Sequence, residues 1–205
     1  MALKNESLST GKTPTKQRII AAALRCFERL GIEQTKLVDI AQAAKIRHNL
    51  IIYHFKDYEN LCLACVEQVV HNFFMATQQI ALAEQRNAEK HLSQFISIHF
   101  QLAQIHRRSY SLWLHFYYKA SIDPRYRQLF QTITLSTTEK LKSILLHYCR
   151  ENLNTEPVNK IENLSQMLLA QIIGQLILSL ATEKDSYDDD IKKCFDLAIK
   201  ELHRL

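Results

Sequence analysis

Glycine and proline are scarce in this 205-residue chain, three of each, and no Asn-Gly or Asp-Gly pair is present to turn a β-hairpin. Alternating polar and apolar runs are scarce too, so an all-α fold is expected. The sequence has no glycine-rich phosphate loop, no nucleophile elbow, no zinc-protease helix and no pair of carboxylates in an apolar setting. An enzyme is therefore not expected, and no catalytic residue is named. The five cysteines are odd in number and follow no hydrophobic signal segment, which predicts a reducing, cytoplasmic location rather than a disulfide framework. Cys62 and Cys65 form a CxxC, but inside an expected helix, without a second pair or a nearby strand. Buried small hydrophobes are the simpler reading, and a redox or metal sensor is the alternative. The longest apolar stretch, 164–180, is broken by Gln166, Gln171 and Gln175, so no membrane span is expected. His71, His99, His106, His115 and His147 lack ligand spacing; they read as core or surface residues, with no metal or cofactor.

What is present begins with charge. The formal net charge is +5. Residues 1–60 hold ten Lys/Arg against six Asp/Glu, while the remainder is close to balanced. That excess coincides with the most informative segment, Thr35 to Leu61. Leu37, Ile40, Ala41 and Ala44 recur at helical spacing, and Ile46, Ile51 and Phe55 do so after a short turn. Two short helices around a tight turn form a helix-turn-helix. The second presents Arg47, His48, Asn49, Leu50, Tyr53 and His54 outward, a set of donors, an amide and an apolar contact suited to a DNA major groove. Thr35, Lys36, Lys56 and Tyr58 flank it as expected DNA contacts, and Lys36, Lys56, Lys12 and Lys16 would meet phosphates.

The lead helix RIIAAALRCFERLG, the segment TKLVDIAQAA and the closing YHFKDYENL, in that order near the N-terminus, resemble the TetR-type repressors of bacteria. The match spans about residues 15–65. Where that family has Gly-Val-Ser in the turn, this chain has Lys45-Ile46-Arg47. A left-handed turn residue would then carry a Cβ, at a cost of roughly 1 kcal/mol, and the recognition helix lacks its serine cap. A helical interaction module with a degenerate reader is the alternative that these departures leave open. The resemblance implies a double-stranded DNA operator, a homodimer and release by a small-molecule effector.

Helices are expected at about 14–30, 36–43, 47–54, 58–85, 89–105, 107–120, 124–152, 158–183 and 187–203, with Pro14, Pro124 and Pro157 in first turns, Asp123 as a cap and Gly31 ending the first. The acidic run Asp188 to Asp190 complements the start of the last helix. A DNA-binding domain is placed at 1–60, with 1–12 a flexible arm, and an effector-binding and dimerisation domain at 61–205. Helix 158–183 is apolar almost all round, more than one small domain covers. With 187–203 it resembles the paired dimerisation helices of TetR-type proteins, the interface falling on Leu168, Ile172, Ile173, Gly174, Ile177, Phe195 and Leu202. Phe73, Phe100, Trp113, Phe116 and Tyr117 are the expected effector contacts. The stretch SLWLHFYYKASIDPRYRQL resembles the betaine-pathway repressors of the TetR group, which implies an aromatic cage for a quaternary ammonium; a flat apolar compound is the alternative.

Overall fold

The computed structural model describes residues 14–82, 87–105, 110–153, 158–181 and 186–204, so Lys12, His106 and Pro157 lie outside the described residues. Among them the regular structure is helical: α1 (Thr15–Leu30), α2 (Leu37–Ala44), α3 (His48–Phe55), α4 (Tyr58–Leu82), α5 (Ala88–Ile105), α6 (Tyr110–Ile122), α7 (Pro124–Tyr148), α8 (Val158–Ala181) and α9 (Asp188–Leu202). A π-helical turn, Cys149–Leu153, extends α7. The chain divides into two compact units at Cys65 and Val66, inside α4 and a few residues beyond the boundary expected after Asn60.

In the first unit the helix-turn-helix closes over Ile19, Ala23, Phe27, Ile40, Ala41, Ala44, Ile51 and Phe55, all buried. Gly31 ends α1 at φ 82°, its N–H bonding the Phe27 carbonyl at 2.8 Å. Pro14 precedes α1 instead of occupying its first turn. Asp39 starts α2 by accepting from the Lys36 N–H at 2.8 Å. At its end Lys45 is left-handed, φ 53° and ψ 49°. The Ile46 N–H then reaches the Ala41 carbonyl at 3.0 Å and the Lys45 N–H reaches Gln42 at 3.1 Å, a Schellman closure in which lysine occupies the usual glycine position. Arg18 on α1 steadies the turn, its Nη2 donating to the Ala44 carbonyl at 3.2 Å. Asp57 caps α4 by accepting from the Asn60 N–H at 2.7 Å.

In the second unit α5, α7, α8 and α9 pack around Leu92, Phe95, Phe100, Leu141, Leu145, Ile161, Leu168, Ile172, Cys194 and Leu202. Asp123 caps α7, accepting from the Arg125 N–H at 2.9 Å with Pro124 behind it. Asp190, fully buried, ties α9 to α8 by accepting from Ser179 Oγ at 3.0 Å. Glu151 in the π-helical turn accepts from the Ala88 N–H at 3.1 Å and pairs with His147 at 3.1 Å. The segment Asn159–Ser179 has the length and composition of a membrane span, with mean hydropathy 1.2. Its Ile161, Leu164, Leu168, Leu169, Ile172 and Leu176 are buried in the unit, so it packs as a core helix.

Candidate functional site

Two turns of α3 carry the candidate DNA face. Ile51 and Phe55, one turn apart, are buried and fix the helix against the unit. The other side is left to solvent. Arg47, His48 and Asn49 are exposed, Leu50 and His54 half-buried, and Tyr53 is 80% exposed, its ring meeting that of His54 edge-on at 5.2 Å. Arg47 stands at the N-cap and makes no capping bond with its side chain, while its carbonyl accepts from the Leu50 N–H at 3.0 Å. Lys36 and Lys56 are exposed at the flanks, Lys56 with a positive φ of 72°. Lys16 is also exposed, and its Nζ lies 5.6 Å from the Phe55 ring centre.

Two expected contacts turn inward. Thr35 is buried, 4% exposed, and its hydroxyl donates to the Gly31 carbonyl at 2.7 Å, a polar group already satisfied within the fold. Tyr58 donates its hydroxyl to the Ile32 carbonyl and packs edge-on against Phe27 at 6.3 Å. Burial, with Cys62 beside it, drives its phenol far above the ordinary range. Both residues brace the reader. Sequence spacing could not separate a tyrosine beside phosphate from one pinned to a carbonyl 26 residues earlier.

Neither thiol of the CxxC is in a disulfide, and both are buried. Burial, followed by the neighbouring Cys62, pushes the Cys65 thiol far above its ordinary value, which disfavours a reactive thiolate there. No group of His, Cys, Asp and Glu suited to a metal occurs among the described residues.

In the second unit a cavity of about 60 Å³ lies among α4 to α8, lined by Phe73, His99, Trp113, Phe116, Tyr117 and Phe130 and closed by α7 and α8 through Thr137, Leu169 and Ile173. Trp113 is 5.5 Å from Phe73, 5.8 Å from Phe116 and 6.2 Å from Tyr117, and Phe130 crosses Tyr117 edge-on at 5.8 Å. Burial pushes the Tyr117 phenol up to about 12. Four of the five expected contacts meet here. Phe100 does not: it is fully buried in the core, tilted against Tyr187 at 6.0 Å. His99, Phe130 and Thr137 were missed, because one turn of helix decides whether an aromatic or a polar residue meets a void or a core.

The expected dimer face is also corrected. Leu168, Ile172 and Leu202 belong to the chain's own core, and Phe195 packs partly against it. Ile173 lines the cavity. What remains outward on α8 is Ile177, 39% exposed, with Met167 at 62% and Leu178 at 63%, and Gly174, where an added Cβ would meet nothing within 4 Å.

A helix-turn-helix with an exposed polar second helix and a helical unit holding an aromatic cavity are the two features on which known proteins can be compared with this chain. Residues 19–65 match the family model described as bacterial regulatory proteins, tetR family. A relative named HTH-type transcriptional regulator BetI, from Burkholderia cenocepacia, is 25% identical over 159 residues, 78% of each chain. Among solved structures, a transcriptional regulator from Pseudomonas aeruginosa PAO1 has TM-score 0.75 at 17% identity, covering 97% of this chain and 96% of its own. Another, from Saccharomonospora viridis in complex with choline, has TM-score 0.78 at 19% identity, covering 90% and 95%. Residues 19–65 thus carry the N-terminal region of the tetR family, and the chain as a whole is similar to TetR-type transcriptional regulators in sequence and fold.

Proposed function

We propose that the protein is a dimeric repressor that reads a two-part operator through α3 and is released when a small molecule occupies the aromatic cavity. The observation that carries this reading is the division of labour between units. One exposes Arg47, His48, Asn49 and Tyr53 on a helix held from behind by Ile51 and Phe55, and the other holds a half-open cavity lined by five aromatic rings. Arg47, His48 and Asn49 supply donors and an amide to base edges, Leu50 and Tyr53 add apolar contact, and His54 borders them. Lys36, Lys56 and Lys16 meet phosphates. A homodimer on the outward stripe of α8 would set two recognition helices about 34 Å apart or a multiple of that.

For the effector, the ring cluster favours a quaternary ammonium, each ring contributing about 0.5–2 kcal/mol. The choline bound to the Saccharomonospora regulator supports that choice. Footprinting on DNA upstream of the gene, followed by choline titration with Trp113 fluorescence, tests both halves. The expected result is a two-part protected site and its release with quenching. An absent footprint refutes the reader. A footprint with no release or quench at millimolar choline removes the quaternary ammonium and leaves an apolar effector.

A further inference from the structure

We propose that the cavity selects ligands carrying a hydroxyl or N–H group and that Nε2 of His99 accepts the hydrogen bond. This deepens the effector-site reading above and rests on it. His99 is 5% exposed on α5, its ring edge-on to Phe73 at 5.1 Å and to Phe95 at 5.2 Å. Its Nδ1 lies 2.8 Å from the Phe95 carbonyl. A carbonyl only accepts, so Nδ1 holds the proton and a neutral ring leaves Nε2 as a lone pair. That nitrogen is buried and has no hydrogen-bond partner among the described residues.

Protonation does not relieve it. Burial, assisted by the Lys140 ammonium against two backbone hydrogen bonds, lowers the pKa to about 4, so Nε2 is an acceptor at neutral pH. The hydroxyl of Thr77 faces the carbonyls of Phe73 and Phe74 at 3.1 and 3.0 Å and receives Lys140 Nζ at 3.0 Å. It is already engaged. The imidazole therefore stands as an unfilled acceptor in the wall of a mostly apolar cavity. The space beside the ring is small, about 60 Å³, and Nε2 itself is closed to water. A ligand that seats against the ring must donate to Nε2 or leave a buried acceptor unmade, which is costly. A hydroxyl donates and a methyl group does not.

Two isosteric pairs test the selection by Trp113 fluorescence: choline with propyltrimethylammonium, and benzyl alcohol with ethylbenzene. In each pair a methyl group stands where the hydroxyl was, so transfer from water favours the methyl member and any preference for the hydroxyl arises in the site. In whichever pair binds, the ratio of hydroxyl to methyl affinity should fall at least about tenfold in His99→Leu, the range of a buried hydrogen bond. A ratio that the substitution leaves unchanged overturns the inference and leaves the cavity reading standing. No binding by any of the four overturns both. Should His99→Leu fail to fold, nitrogen NMR of the wild type decides: the hydroxyl ligand must move the His99 Nε2 resonance while Nδ1 keeps its proton, and an unmoved Nε2 overturns the proposal.

Discussion

Substituting Tyr58 with Phe separates a brace from a DNA contact. The hydroxyl donates to the Ile32 carbonyl across 26 residues of sequence, and Ile32 is itself 7% exposed. Removing the donor leaves a largely buried carbonyl unmade, at a cost of about 1–2 kcal/mol. The ring stays against Phe27 and keeps its packing. In a unit of some 60–100 residues about 1 kcal/mol corresponds to a Tm change of roughly 4–8 °C, so the melting of the reader should fall by that amount or more. Affinity for duplex DNA, measured well below that melting point, should stay within about twofold, since no group on the groove side has changed. Calorimetry and fluorescence anisotropy on the same preparation read both quantities. A tenfold loss of DNA affinity with Tm unchanged would refute the assignment of Tyr58 to the interior.

Lys45→Gly should stabilise the reader by about 0.5–1 kcal/mol, visible in the same melt, because a Cβ at φ 53° is strained and glycine is not. Asn49→Ala should relax preference at one base pair by about 1–3 kcal/mol, while Lys56→Ala should weaken all sequences alike and flatten the salt slope by about one unit, both read by anisotropy on operator and random duplexes. Gly174→Leu or Leu178→Asp should turn the proposed dimer into monomer in sedimentation without lowering helix content, because neither position contributes to the chain's own core; an intact dimer in both variants sinks the α8 interface.

The sequence carried most of the helical framework, since three-and-four spacing and the Pro and Gly punctuation act locally. Asp123 before Pro124 and Gly31 after α1 fall where their chemistry demands. Lys45 takes the left-handed angle despite its Cβ, because the helix end and the Arg18 bond to Ala44 hold the turn. What spacing could not decide is which of two buried environments an apolar residue enters. Leu168 and Ile172 look like Met167 and Leu178 in composition. Only the packing of α5 and α7 assigns the first pair to the chain's own core and leaves the second in solvent. The same holds for His99 and Phe100, adjacent in sequence, one on the cavity wall and the other in the core.

The size of the cavity bears on how an effector would act. A void near 150 Å³ admits benzene and this half-open one measures about 60 Å³, so a ring-sized or trimethylammonium ligand is expected to part the walls formed by α6, α7 and α8. That separation is the differential work a ligand needs in order to shift an equilibrium. Coupling of about 1–3 kcal/mol alters operator affinity by roughly 5–150-fold. Filling the void should therefore hold the walls in their unliganded arrangement. Thr137, 3% exposed on α7, lines it. Thr137→Met would extend a flexible side chain into the space, and at roughly 24 cal/mol per Å³ of cavity removed complete filling would stabilise the unit by at most about 1.4 kcal/mol. Operator affinity should match the wild type, while the concentration of effector needed for release should rise at least tenfold. Equal sensitivity of the two proteins in a release titration would refute the cavity as the seat of the response, wherever the ligand then binds.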